Sequence, residues 1–157
     1  MRKYLLLSAL VISLTACLKT EDENEVTPAA INTIFDQDFN LNYRQQATLS
    51  SASQTELTVA VEELHYTFCP KNANCFIGDF VNPTMSVTDT KGQTQEVKLS
   101  MHRATSNYPN WMDTISVRAN GTRYLLYYKK YDVKAGCDNP AKKDISVQLR
   151  ITKPTNN

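Results

Sequence analysis

The sequence has no apolar run of the roughly 20 residues that a bilayer-spanning helix requires. A transmembrane helix is therefore not expected. Glycine is scarce, with four residues in the chain, and histidine scarcer still, with His65 and His102 alone. No Gly-x-Ser-x-Gly, His-Glu-x-x-His or phosphate-loop pattern is present, so the sequence names no residues for enzyme chemistry. His65 follows Glu62 and Glu63, but neighbours along a strand point to opposite faces and do not make an acid–base pair. Met101 and His102 with Met85 suggest copper at first sight. Both methionines fit a core alternation, however, so the expectation is no metal and no cofactor. An excess of charge of either sign is also missing: 17 Lys and Arg stand against 16 Asp and Glu, which argues against nucleic acid as a partner.

What is present begins at the N-terminus. Met1-Arg2-Lys3-Tyr4 is followed by an apolar stretch from Leu5 to Leu14 and then Thr15-Ala16-Cys17. A basic start, a short apolar stretch and small residues before the break are the pattern of a secretory signal peptide. The Leu14-x-Ala16-Cys17 ending resembles a bacterial lipobox. That resemblance implies cleavage after Ala16 and a diacylglycerol on Cys17, leaving residues 1–16 as leader. Several acyl chains on one residue satisfy the two-signal condition for stable anchoring, so the implied partner is a membrane held through Cys17. The other reading is an ordinary cleaved signal in which Cys17 is incidental. Residues 17–30 carry Glu21, Asp22, Glu23 and Glu25 with no apolar period, the composition of a disordered acidic tether. Lys19 followed by Glu21, Asp22 and Glu23 resembles the surface-export signal of Bacteroidetes lipoproteins. The implied address is the outer membrane, with display at the cell surface.

From residue 31 to 157 the pattern is that of one all-β domain. Leu57, Val59 and Val61 alternate with polar neighbours, as do Val97, Leu99 and Met101, and again Ile145, Val147, Leu149 and Ile151. Several such runs separated by turn signals predict an antiparallel β-sandwich, immunoglobulin-like, or a small barrel. Asn120-Gly121 favours a type I′ hairpin pairing Val117 with Tyr124 and Ile115 with Leu126, which sets Arg118 opposite Arg123. Gly92 closes a three-residue loop that pairs Met85 with Val97. Pro83 places the start of that strand, or a sheet edge, at itself.

Cys69 and Cys75 lie six positions apart. An export signal permits oxidation, and a hairpin with Cys69 opposite Cys75 would set Phe68 against Phe76, Tyr66 against Gly78 and Leu64 against Phe80. A disulfide is expected; a zinc thiolate pair would use a tighter spacing and a histidine cluster. Cys137 is then left without a role.

Leu57-Thr-Val-Ala-Val61, Cys69-Pro70, Cys75 and Gly78 together resemble a group of small bacterial lipoproteins with a Cys-Pro-x4-Cys hairpin motif. Phe39-Asn-Leu41 and Ala47-Thr-Leu49 fit its opening strands. The chain departs from the group in having Tyr66-Thr67-Phe68 before the first cysteine and Ile77 two residues after the second. The resemblance implies the fold and carries no settled activity.

Two surfaces suggest binding. Tyr108-Pro-Asn-Trp111-Met112 holds the only tryptophan, and exposed aromatic planes bind sugars and proteins. The alternative is that Trp111 caps the core. Arg118 to Lys153 carries nine basic residues against three acidic ones, so a positive face is expected near the C-terminal half. Tyr124, Tyr127, Tyr128 and Tyr131 should divide between the two faces of their strand. The expectation is a lipid-anchored, non-enzymatic binding or accessory module that uses Tyr108, Trp111, Arg118 and Arg123 on a glycan or protein partner. Alternatives are an inhibitor of a protease or lysozyme, presenting Lys71 and Asn72 on the disulfide loop, and a purely structural envelope protein.

Overall fold

The computed structural model describes residues 27–51, 54–100, 111–136 and 139–153. The leader, Cys17, the acidic run at Lys19–Glu25, Met101, His102, Tyr108 and Cys137 lie outside the described residues.

Among the described residues nine strands form two sheets. The strands are β1 (Ile31–Ile34), β2 (Asp38–Asn42), β3 (Gln46–Ser51), β4 (Gln54–Thr67), β5 (Phe80–Asp89), β6 (Thr94–Lys98), β7 (Asp113–Ala119), β8 (Thr122–Val133) and β9 (Ile145–Thr152). One sheet has the order β1-β3-β4-β5-β6 and the other β2-β9-β8-β7. The two pack face to face as a β-sandwich with open edges, which decides against a barrel. All pairs are antiparallel except β1 with β3. That exception follows from connectivity: between β1 and β3 the chain crosses to the other sheet as β2 and returns, so β3 runs in the direction of β1.

The apolar alternation fills the space between the sheets. Leu57, Val59 and Val61 of β4, Met85 and Val87 of β5, Leu126 of β8 and Ile145, Val147, Leu149 and Ile151 of β9 are inaccessible to solvent. Tyr128 is equally buried and donates its hydroxyl to the Val81 carbonyl at 2.8 Å, so its polar atom is satisfied inside the core.

The two hairpins set by turn chemistry have the expected registers. Asn120 and Gly121 both have positive φ, 52° and 75°, and Val117 faces Tyr124 while Arg118 faces Arg123. Gly92, at φ 78°, closes the loop that pairs Met85 with Val97. Pro83, in contrast, neither starts its strand nor lies on an edge strand. β5 begins three residues earlier, at Phe80, and runs between β4 and β6. Proline is tolerated because β6 pairs only as far as Lys98 with Thr84. Just beyond that pair, the Pro83 carbonyl accepts the Leu99 N–H at 2.9 Å.

Two β-bulges re-aim long strands. On β4 the register shifts between Val61 and Glu63, so the inward set changes from Leu57, Val59 and Val61 to Leu64, Tyr66 and Phe68. On β8 it shifts between Tyr128 and Lys130, and Tyr131 and Val133 turn back to the core side after Tyr124, Leu126 and Tyr128.

Cys69 and Cys75 form a disulfide with Cα atoms 5.8 Å apart. The strands around it are not registered as expected. Leu64 pairs with Pro83 and Tyr66 with Val81, three residues away from the Leu64–Phe80 and Tyr66–Gly78 alignment. The ladder stops at Thr67 and resumes at Phe80, so the bridge closes a loop beyond the sheet. An odd shift also exchanges faces: Val81 is buried, and Phe76 projects fully into solvent instead of meeting Phe68.

Candidate functional site

The outer face of the four-stranded sheet gathers three of the four expected binding residues; Tyr108 lies outside the described residues. Strand alternation determines the membership. On β8, Tyr124, Leu126 and Tyr128 point inward, so Arg123, Leu125 and Tyr127 point out. On β7 the outward set is Thr114, Ser116 and Arg118. The ladder then orders them in rows across the strands: Thr114, Tyr127, Arg150 and Asp38; Ser116, Leu125 and Thr152; and Arg118 with Arg123.

Trp111, immediately before β7, lays its ring edge-to-face on Tyr127, with centroids 5.2 Å apart and planes at 70°. The tryptophan is half-buried and does not belong to the core cluster, so its apolar surface covers the sheet's outer face. Trp111 stands out in the sequence as the only tryptophan; its partner does not. Tyr127 was legible as the tyrosine out of phase with Tyr124 and Tyr128.

The charges on this face are unevenly matched. Asp38 accepts the Arg150 Nε at 2.6 Å and has Lys129 at 4.0 Å, and the Asp38 contact holds the Arg150 guanidinium above its ordinary value. Lys130 pairs with Asp132 at 2.9 Å. Arg118 and Arg123, both exposed and directly opposed, have no carboxylate partner among the described residues. Like charges so placed repel one another and favour an anion between or above them. The Arg118 backbone is held in place, since its carbonyl accepts the Gln95 side-chain amide of β6. Arg123 and Tyr127 are four residues apart on one strand, about 13 Å at strand rise. The surface thus presents an aromatic pair at one end, two free guanidiniums at the other, and Leu125, Ser116 and Thr152 between them.

His65 is exposed on β4, opposite Asn82. A shallow open depression near Asn42, Asp132, Lys134, Lys143 and Asp144 carries mixed charge. Among the described residues no group of three His, Cys, Asp or Glu side chains is placed to hold a metal ion.

Lys71 and Asn72 are exposed on the disulfide loop, with Asn72 at φ 67°. The loop's base is fixed by the Cys69 N–H donating to the Asp79 carboxylate at 2.7 Å. No protein-family model, curated protein or solved structure matches the chain.

Proposed function

We propose that the protein is a non-enzymatic binding module, held by lipid on Cys17 at the outer membrane and displayed outward on its acidic tether, that binds an acidic glycan. The single observation that carries the ligand class is the shared outer face of β7 and β8. The Trp111–Tyr127 pair offers the apolar plane that stacks on a sugar ring, and the unpaired Arg118 and Arg123 offer forked donors for a carboxylate or sulfate. The spacing suits an extended chain spanning several rows of the sheet. The hydroxyls of Ser116 and Thr152 lie between the two ends, where a neutral part of such a chain would pass. The anchor reading is supported by the leader pattern, the Leu14-x-Ala16-Cys17 ending and the acidic run that follows.

A glycan array probed with the wild-type domain, Trp111→Ala and the Arg118→Ala/Arg123→Ala double variant tests this. Acidic glycans should be retained by wild type and lost by both variants. Binding that is indifferent to both changes, or that selects neutral glycans, contradicts the proposal.

A further inference from the structure

The disulfide loop carries the other notable exposed apolar surface. Among the described residues the large hydrophobic side chains left exposed are Ile34, Phe76 and Ile77, and the last two are adjacent at the loop's outer limb. Phe76 is 104% exposed and Ile77 60%, in a stretch from Pro70 to Asp79 that is exposed throughout. This is a braced element: the Cys69–Cys75 bond closes it, the Ala73 N–H returns to the Pro70 carbonyl at 3.1 Å, and Asp79 holds the Cys69 N–H. An apolar pair presented on a rigid stalk needs a partner that is itself apolar and near.

Topology says which end of the sandwich this is. β1 is parallel to β3, and β3 is antiparallel to β4, so the chain arrives at β1 from the end where β4 leaves for the loop. The arriving segment is fixed part-way along β4, six residues before it ends at Thr67: the Ala29 carbonyl accepts the Gln45 side-chain amide at 2.8 Å, and the Gln45 carbonyl accepts the Val61 N–H of β4 at 3.1 Å. Nine residues, Leu18 to Val26, separate Cys17 from Thr27. Fully extended they span roughly 30 Å. A lipid on Cys17 therefore tethers the domain through a segment that approaches from the side of the sandwich bearing Phe76 and Ile77, within a distance comparable to the size of the domain itself.

We infer that the Cys69–Cys75 loop is a second membrane contact, with Phe76 and Ile77 entering the interfacial region of the bilayer to which Cys17 is anchored. The inference rests on the anchoring part of the proposed function. Two side chains expose less apolar surface than one acyl chain, which by itself binds a membrane only marginally and reversibly. The loop acts because the short tether raises its effective concentration at the bilayer, converting a weak contact into an intramolecular one. Its consequence is orientation. With both the tether and the loop at the surface, the sandwich stands on this end and the Trp111 face is held beside the membrane rather than free to turn toward it. A protein cleft is the rival occupant of the loop, and the tether's approach from the same side of the sandwich favours the bilayer.

The test uses the full acylated chain reconstituted into vesicles of phosphatidylethanolamine and phosphatidylglycerol, with and without brominated acyl chains. Phe76→Trp adds a second indole to Trp111, and Ile77→Trp repeats the measurement at the neighbouring position; both side chains are exposed, so neither change disturbs the core. The added emission should shift to the blue and be quenched at least twofold by the brominated lipid, while wild-type emission is not. Mass analysis of the Cys17 peptide reports the anchor separately. An acylated chain whose added indoles are unquenched overturns the loop contact alone. A Cys17 peptide without acyl mass overturns the anchoring and the loop contact with it. Capture of a lysozyme or trypsin-like protease that Phe76→Ala abolishes, with no quenching in vesicles, assigns the loop to a protein and overturns the inference.

Discussion

Glu56 offers the sharpest test of how the two sheets are joined. At the end of the sandwich opposite the disulfide, its carboxylate accepts the Lys153 ammonium at 2.5 Å and the Tyr124 hydroxyl at 3.1 Å. Its carbonyl accepts the Asn120 side-chain amide at 2.8 Å. Tyr124 stacks on Phe35 at 5.6 Å, and Lys153 lies over the same Phe35 ring at 4.5 Å. Residues at the start of β4, on β8 and after β9 thus meet at one carboxylate, and Phe35 after β1 packs against two of them. The Glu56 side chain is 25% exposed and that of Lys153 31%, so the ion pair is partly screened and is assigned the modest value of a surface pair. The bond from the buried Tyr124 hydroxyl to a charged acceptor adds about 1 kcal/mol or more. Glu56→Ala should therefore cost about 2 kcal/mol in urea unfolding, and Glu56→Gln, which keeps an acceptor for Tyr124, about half of that.

The pH dependence has a definite sign. Burial raises the Glu56 pKa, but the Lys153 and Tyr124 hydrogen bonds outweigh it and leave the group below its ordinary value. A carboxylate with a lowered folded-state pKa contributes stability above the ordinary glutamate range and loses it as pH falls through the folded value. The gap between wild type and Glu56→Gln should be complete at pH 7 and shrink toward pH 3.5. Glu63, also lowered because its bonds to Lys142 and the Leu64 N–H outweigh burial, titrates in both proteins and cancels in the comparison. An equal gap at the two pH values, or a Glu56→Ala variant within 0.5 kcal/mol of wild type by the same order of reasoning, would refute the clasp.

Two other changes probe the fold. Replacing Cys69 and Cys75 by Ala releases a six-residue separation, and should lower stability by about 2 kcal/mol while leaving the far-ultraviolet dichroism of the sheets unchanged, because the bridge lies outside the ladder. Asn120→Ala loses the bonds to the Glu56 carbonyl and to the Thr90 hydroxyl and replaces, at a φ of 52°, a residue that tolerates the left-handed region with one that does not. It should cost about 2–3 kcal/mol in thermal or urea unfolding, with Asn120→Gly recovering the backbone part.

The sandwich was legible because its signals are local. Asn120-Gly121 and Gly92 tolerate the positive φ their turns require, and each fixed a register to the residue. The disulfide partners were legible from spacing and the expected export, but their hairpin register was not, since a bridge fixes two Cα atoms and says nothing about where the ladder stops. What would have corrected it lay in the parity of β4: Leu57, Val59 and Val61 occupy odd positions, whereas Leu64, Tyr66 and Phe68 occupy even ones. One continuous strand can bury both sets only through an inserted residue, which is the bulge between Val61 and Glu63. The same change of parity separates Tyr128 from Tyr131 on β8. Of the candidate site, Arg118 opposite Arg123 followed from the turn. The meeting of Trp111 with Tyr127 did not, because it joins a residue outside the strands to one whose outward aim is set only by its neighbours' burial.

For the acidic glycan proposed to bind the outer face of β7 and β8, Trp111, the only tryptophan of the chain, is a built-in reporter. Titration of the domain with a polyuronate oligosaccharide, read by Trp111 emission, tests that binding most directly. A saturable change in emission is expected, weakened about tenfold or more by Arg118→Ala/Arg123→Ala and by added salt, since loss of a forked guanidinium contact of about 1.4 kcal/mol corresponds to tenfold in affinity. Saturable binding that leaves Trp111 emission unchanged, or an affinity indifferent to both arginines, would contradict it.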